Sequence, residues 1–202
     1  MRHEVRKTEA IANAITHYCL NKKYIPEEKK EIYCYGFKLI FADIINFTLV
    51  LLLALIFGEI TSGIAFLITL CSVRKHSGGF HAKTFWLCRL SMLVTFISVL
   101  AVKTVAAKTD YLLPISIALN IISVIIIAKL APVKHPNKTM NERQIKLNKK
   151  NAIIASAVMA AVSTVLTAAG ITEGVTITIT LSADVILMII GLISTKGGKT
   201  NV

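Results

Sequence analysis

LIFADIINFTLVLLLALIF, residues 39–57, decides the fold. The run is about 19 residues long and holds one ionisable side chain, Asp43. A helix needs about that length to cross the hydrocarbon of a bilayer. Inside that medium the backbone N–H and C=O groups must find partners within the segment, so the run is expected to be a membrane-spanning α-helix.

Upstream, residues 1–38 are polar and of mixed charge, and they read as one or two surface helices. Ile11, Ile15 and Tyr18 share a face with Val5 and Thr8 nearby, while Arg6, Lys7, Lys22 and Lys23 supply the polar side, the character of a helix lying in the interface. Pro26, Glu27 and Glu28 mark a second helix start, with proline in the first turn and acids at the positive end of the dipole. About 37 polar residues precede the first apolar run, too many for a secretory signal, so that run is expected to be a retained span.

Downstream, five further apolar runs follow. Residues 60–73 number about 14 and cover roughly 21 Å as a helix, short of a ~30 Å core. Residues 86–107 carry Arg89 and Lys103 near their ends, where both can snorkel. Residues 111–131 open on an interfacial tyrosine, and residues 152–170 are rich in Ala, Ser and Thr. Residues 175–194 alternate with threonine in a way a soluble protein would use for a strand; beside five helical spans they are read as a sixth helix. The expected fold is all-α and polytopic: about six transmembrane helices over 39–194, an N-terminal amphipathic segment 1–38 and a tail 195–202.

Composition agrees. Apolar residues make up 54% of the chain and mean hydropathy is +0.67, more than a water-facing surface allows. The net charge of +12 is accounted for by cations gathered in cytoplasmic loops, and no nucleic-acid-binding motif accompanies it, so nucleic acid is excluded as a partner. With the N-terminus inside, all of the 23 Lys and Arg residues except Lys103 and Lys108 fall on the cytoplasmic side. That places both termini, the loop 74–85 and the basic loop 132–150 in the cytoplasm of a cell-membrane protein. Cys19, Cys34, Cys71 and Cys88 show no paired spacing and are expected to be thiols.

The segment RKHSGGFHAKTFWLCR, residues 74–89, differs from the other loops. Gly78 and Gly79 permit positive φ, so the chain can turn sharply and offer clustered backbone N–H groups. Cys88 falls in the first turn of the third span, where the helix dipole and Arg89 favour a thiolate. A neutral His81 can take the thiol proton, the Cys–His logic of thiol proteases and acyl transferases. Seven residues of continuous helix would separate the two by about 10.5 Å, so the chain around His81 must bend back for the pair to work. Blander readings stand beside this one. Cys88 is also a small lipid-compatible residue, Arg74, Lys75 and Lys83 also serve as positive-inside anchors, and His76, His81 and Cys88 are zinc-ligand types at a spacing that matches no strong zinc signature. No metal or cofactor is expected. Asp43, about one turn inside the first span from Lys38, lies at the expected depth of His81; it either fixes the imidazole tautomer or pairs with Lys38, Arg74 or Arg89.

The pattern Arg74-x-x-Ser77-Gly78-Gly79-x-His81-x6-Cys88, two spans into a basic membrane protein of this size, resembles the accessory gene regulator B family, membrane cysteine endopeptidases of Gram-positive quorum sensing. The likeness covers most of the chain in length, span layout and charge; its sequence-specific part is residues 74–88. The resemblance implies cleavage of a small cognate precursor peptide on the cytoplasmic side. His81 is then the general base and Cys88 the nucleophile of an acyl-enzyme thioester, which a cysteine or serine of the precursor attacks to release a cyclic thiolactone or lactone. Arg74 and Gly79 are implied to shape the site or hold the oxyanion, with Ser77 and Gly78 supporting it. The basic loop, with Lys134, Lys138, Arg143, Lys146, Lys149 and Lys150, is expected either to steer an acidic part of the precursor or to anchor on anionic lipid. The competing class is a peptide transporter or non-catalytic membrane scaffold, with Asp43 and Asp184 as intramembrane acids. The lipid bilayer is a partner in either case, and self-association is left open.

Overall fold

Every apolar run named above is helical. The computed structural model describes residues 2–78, 85–106, 109, 111–133 and 141–197. Among them the elements are α1 (Arg2–Asn21), a short 3-10 turn (Glu27–Lys29), α2 (Lys30–Ile56), α3 (Ile60–Ser77), α4 (Phe85–Ala106), α5 (Leu112–Leu130), α6 (Glu142–Ala168) and α7 (Glu173–Gly197). Five of these helices, α2 and α4 to α7, are long and apolar enough to cross a membrane. α3 is outside that set because its last turn ends in Arg74, Lys75 and His76; at 18 residues it still packs along α6 and α7. The protein is an all-α, multi-pass membrane protein.

The chain divides into two compact units, residues 1–52 and 53–202. In the first, the second surface helix and the first span are one element. The 3-10 turn after Pro26, with Glu27 and Glu28 in its first turn, leads into α2, which runs from Lys30 to Ile56 without a break. α1 buries Ala12 and Thr16, one turn apart, and leaves Ile11 and Tyr18 exposed. Asn13 of α1 accepts a hydrogen bond from the Cys34 thiol of α2 at 2.9 Å. Tyr24, Tyr33 and Tyr35 are also exposed, amphipathic rings suited to the headgroup layer.

In the second unit α7 is the hub, packing against α3, α4, α5 and α6. Half of its spanning window is buried, against 22% for α4, α5 and α6. Its threonines are satisfied as a helix allows: Thr180 donates to the Thr176 carbonyl at 2.7 Å, and Ser182 to that of Thr178 at 3.1 Å. Thr178 also shares a 2.6 Å hydrogen bond with Ser163 of α6, which Asn120 of α5 joins at 3.1 Å. These hydroxyls tie helices together where lipid gives no hydrophobic driving force between them. At Gly174 any Cβ would meet Thr167 and Ser163, so the residue lets α6 and α7 approach backbone to backbone.

Polar contacts mark one end of this unit. Thr61 donates to Glu173 at 2.6 Å, and Thr176 to Ser62 at 3.5 Å, so α3 and α7 start at the same end and run parallel. Lys103 does not snorkel. Only 6% exposed, it bonds Glu59 Oε2 and Ser62 Oγ, each at 2.7 Å. Lys103 and Ser62 hold the Glu59 carboxyl below its ordinary value of 4.5. At the opposite end Val73, Ala131, Val133, Ala152, Val185 and Met188 belong to one apolar cluster that joins α3, α6, α7 and the chain after α5.

Candidate functional site

The site is built on the end of the second unit away from Lys103. α3 continues past its apolar run, since Arg74, Lys75 and His76 suit the negative end of a helix dipole. It stops at Gly78, whose φ of 72° and ψ of −160° an L side chain rarely adopts. Space forbids a side chain there as well: a Cβ on Gly78 would lie 2.8 Å from the Val133 carbonyl oxygen. Beside it, Val133 N–H donates to the Ser77 carbonyl at 2.9 Å, and the fully buried Ser77 hydroxyl donates to the Gly78 carbonyl at 3.1 Å. The end of α3 is thus fastened to the chain that follows α5.

Cys88 stands in the first described turn of α4, half-buried and outside any disulfide, as are Cys19, Cys34 and Cys71. Helix placement at Cys88 agrees with expectation. His81 and Gly79 lie outside the described residues. His76, at the end of α3, has a buried Nδ1 with no hydrogen-bond partner among the described residues. No group of three His, Cys, Asp or Glu side chains that could hold a metal is present among those residues; the His76–His81–Cys88 alternative includes a residue beyond them.

Of the expected supporting residues, the structure brings Arg74, Ser77 and Gly78 together in the last turn and cap of α3. Asp43 is an exposed residue of α2 in the first unit. Lys134 and Lys138 lie outside the described residues. Arg143, Lys146, Lys149 and Lys150 are exposed, and they are helical rather than part of a loop. α6 begins at Glu142, where Asn141 N–H donates to the Gln144 side chain at 3.1 Å, so these cations occupy its first turns ahead of the apolar run. Two residues were not foreseen in their roles. Val133, which grips Ser77, has no sequence signal beyond its place after the fourth span. Asp184, 2% exposed on α7, was signalled by being a lone acid in an apolar run, and it feels the charge of Arg74.

Fold and site together define a multi-pass helical membrane protein with a half-buried thiol at a basic end of its bundle. The sequence profile described as Accessory gene regulator B matches residues 8–193, and the chain belongs to that family. Among its relatives, Protein FsrB of Enterococcus faecalis is 36% identical over 59 residues, 29% of this chain and 24% of that protein. Putative AgrB-like protein 2 of Clostridium perfringens is 29% identical over 150 residues, 72% of this chain and 70% of its own length. A second Clostridium perfringens protein, Putative AgrB-like protein, is 26% identical over the same shares. The chain thus spans about a quarter of the first relative and 70% of the other two. No solved structure matches. Membership ties the chain to quorum-sensing peptide processing.

Proposed function

We propose that this protein is a cysteine endopeptidase that cleaves a small precursor peptide at the cytoplasmic face of the cell membrane and closes its product into a ring. The observation that carries the reading is the position of Cys88: a half-buried thiol in the first described turn of α4, directly after the segment that bears His81. Helix N-termini favour thiolates, and Arg89 adds positive charge next to it.

His81 takes the Cys88 proton, and the thiolate attacks the scissile carbonyl. The C–N bond breaks, the imidazolium returns its proton to the departing amine, and a Cys88 thioester remains. A cysteine thiol within the retained peptide then attacks that thioester. One thioester forms as another breaks, Cys88 regains its proton, and a cyclic thiolactone leaves; a serine in the same place gives a lactone. The exchange is near energetic balance, so little driving force is needed. Arg74 and the Ser77–Gly78 cap hold the segment's origin. The exposed cations at the start of α6 attract an acidic part of the precursor.

The test is co-expression with the small open reading frame beside this gene, followed by mass spectrometry. The expected product is shorter than the precursor and lighter than its linear fragment by one water. Cys88→Ala should abolish it at unchanged membrane abundance, while joint replacement of Cys19, Cys34 and Cys71 should leave most of it. Cleaved peptide from Cys88→Ala would remove the protease reading and leave a transporter or scaffold. Labelling of a single cysteine at Asn137 from outside intact cells would reverse the proposed orientation.

A further inference from the structure

One buried group has no role in the chemistry above. Asp184 is 2% exposed, its Oδ2 has no hydrogen-bond partner among the described residues, and the charge it faces is that of Arg74. A carboxylate at that depth is expensive unless a cation is near. The helix geometry brings the two within about one turn of each other, since Arg74 follows Ser62 by 12 residues of α3 and Asp184 follows Thr176 by 8 of α7. Thr176, Thr180 and Asp184 follow at intervals of four and share one face of α7, and the first of them reaches Ser62 of α3. Since α3 and α7 run parallel from that contact, the last turns of α3 lie beside Asp184, and Val73, next to Arg74, shares an apolar cluster with Val185, next to Asp184.

Arg74 is also where the α3 cap begins, because its carbonyl accepts the Gly78 N–H at 3.1 Å. Whatever fixes the rotation of Arg74 fixes the point from which the chain leaves toward His81. α7 packs against α4 as well, so the same helix backs both α3 and the helix of Cys88. We propose that Asp184 is a positioning residue for proteolysis: it draws Arg74 onto α7 and so sets the origin of the His81 segment relative to α4. Without the carboxylate, Arg74 loses that attraction toward α7, and its long side chain can shift toward water and turn the end of α3 with it. This inference rests on the protease reading.

The experiment uses the full chain in liposomes, with Cys19, Cys34 and Cys71 replaced by serine and with the precursor from the co-expression experiment as substrate. Folded protein is counted as the monodisperse fraction in size-exclusion chromatography before reconstitution, so kcat refers to folded protein. Asp184→Asn should lower kcat about tenfold with KM within about twofold. Asp184→Glu should recover at least about a third of the turnover, and Arg74→Gln should match the loss. The double variant Arg74→Gln/Asp184→Asn should be no slower than Arg74→Gln alone, since the residues act as one unit. Should Asp184→Asn fail to accumulate, that double variant takes its place, having lost both charges together. A purely structural role would reduce the folded fraction and leave kcat per site unchanged, and that result overturns the proposal. So does a double variant whose loss is the product of the two single losses. Cleavage surviving Cys88→Ala sinks the protease reading itself, whereas full turnover in Asp184→Asn with an inactive Cys88→Ala sinks this inference alone.

Discussion

At one end of the second unit Lys103 is enclosed by Glu59 and Ser62, and Thr61 is held by Glu173. At the other end Arg143, Lys146, Lys149 and Lys150 stand exposed on α6, a free thiol sits on α4, and Gly78 holds α3 to the Val133 backbone. Both ends are polar, yet their side chains do different work. Where a cation is withdrawn from water it is matched atom for atom, and its group serves the fold. Where cations remain in water they are available to a ligand, and the backbone at the end of α3 is joined to that of Val133.

The contrast breaks first at Cys88. Cys88→Ala should remove cleavage by a factor of at least about 1000, the scale of losing a nucleophile, with melting shifted by under about 1 kcal/mol of stability. Cys71→Ala, on α3 and equally half-buried, should leave turnover near wild type. Comparing kcat and thermal melting of both variants in detergent checks it; a large loss at Cys71 would deny that Cys88 is special.

Gly78→Ala comes next. Its φ of 72° and the 2.8 Å approach to Val133 O both oppose a Cβ. The substitution should cost about 1–3 kcal/mol and lower turnover about tenfold, because Ser77 and Val133 must part. Gly36, with nothing within 4 Å of a built Cβ, is the control. Equal effects at the two glycines would remove the junction from the account.

Glu59→Gln tests the other end. Glu59 is a third exposed, so the lost attraction is screened, and leaving Lys103 buried without its partner should cost about 1–2 kcal/mol. Cleavage per folded molecule should not change. The depressed folded pKa sets the sign of the pH effect. The pair's contribution is complete above the ordinary carboxylate value of 4.5 and is lost as pH falls through the lower folded value. Melting from pH 7 to pH 3 should show an acid limb that Glu59→Gln lacks.

The smallest expected effect belongs to α6. Reversing Lys146 and Lys149 to Glu should raise apparent KM about three- to tenfold with kcat nearly constant, and added salt should shrink the difference. Indifference to both charge and salt in neutral-lipid vesicles would end the steering idea.

Much of this was legible in the chain. The apolar runs gave the helices, and the Thr-alternating run was assigned to a helix because a lone strand cannot satisfy its backbone in lipid. Boundaries were less legible, because polar residues extend a helix without altering an apolar run: α6 starts at Glu142 instead of near Ala152, and α2 continues from Lys30 through the expected boundary at Lys38. Lys103 was read as snorkelling because its partner Glu59 lies 44 residues away, and periodicity along one helix is silent about its neighbours. Arg74, Ser77, Gly78 and Cys88 were visible as a spaced pattern. Val133 and Asp184 act across helices and became readable only once α3, α5 and α7 were packed.

The Glu59–Lys103 pair also bears on how the protein lives in an energised membrane. A single charge carried across a membrane potential changes energy by about 2.3 kcal/mol per 100 mV. Joined at 2.7 Å, the two residues present no net charge to that field, so the potential exerts little net force on the pair.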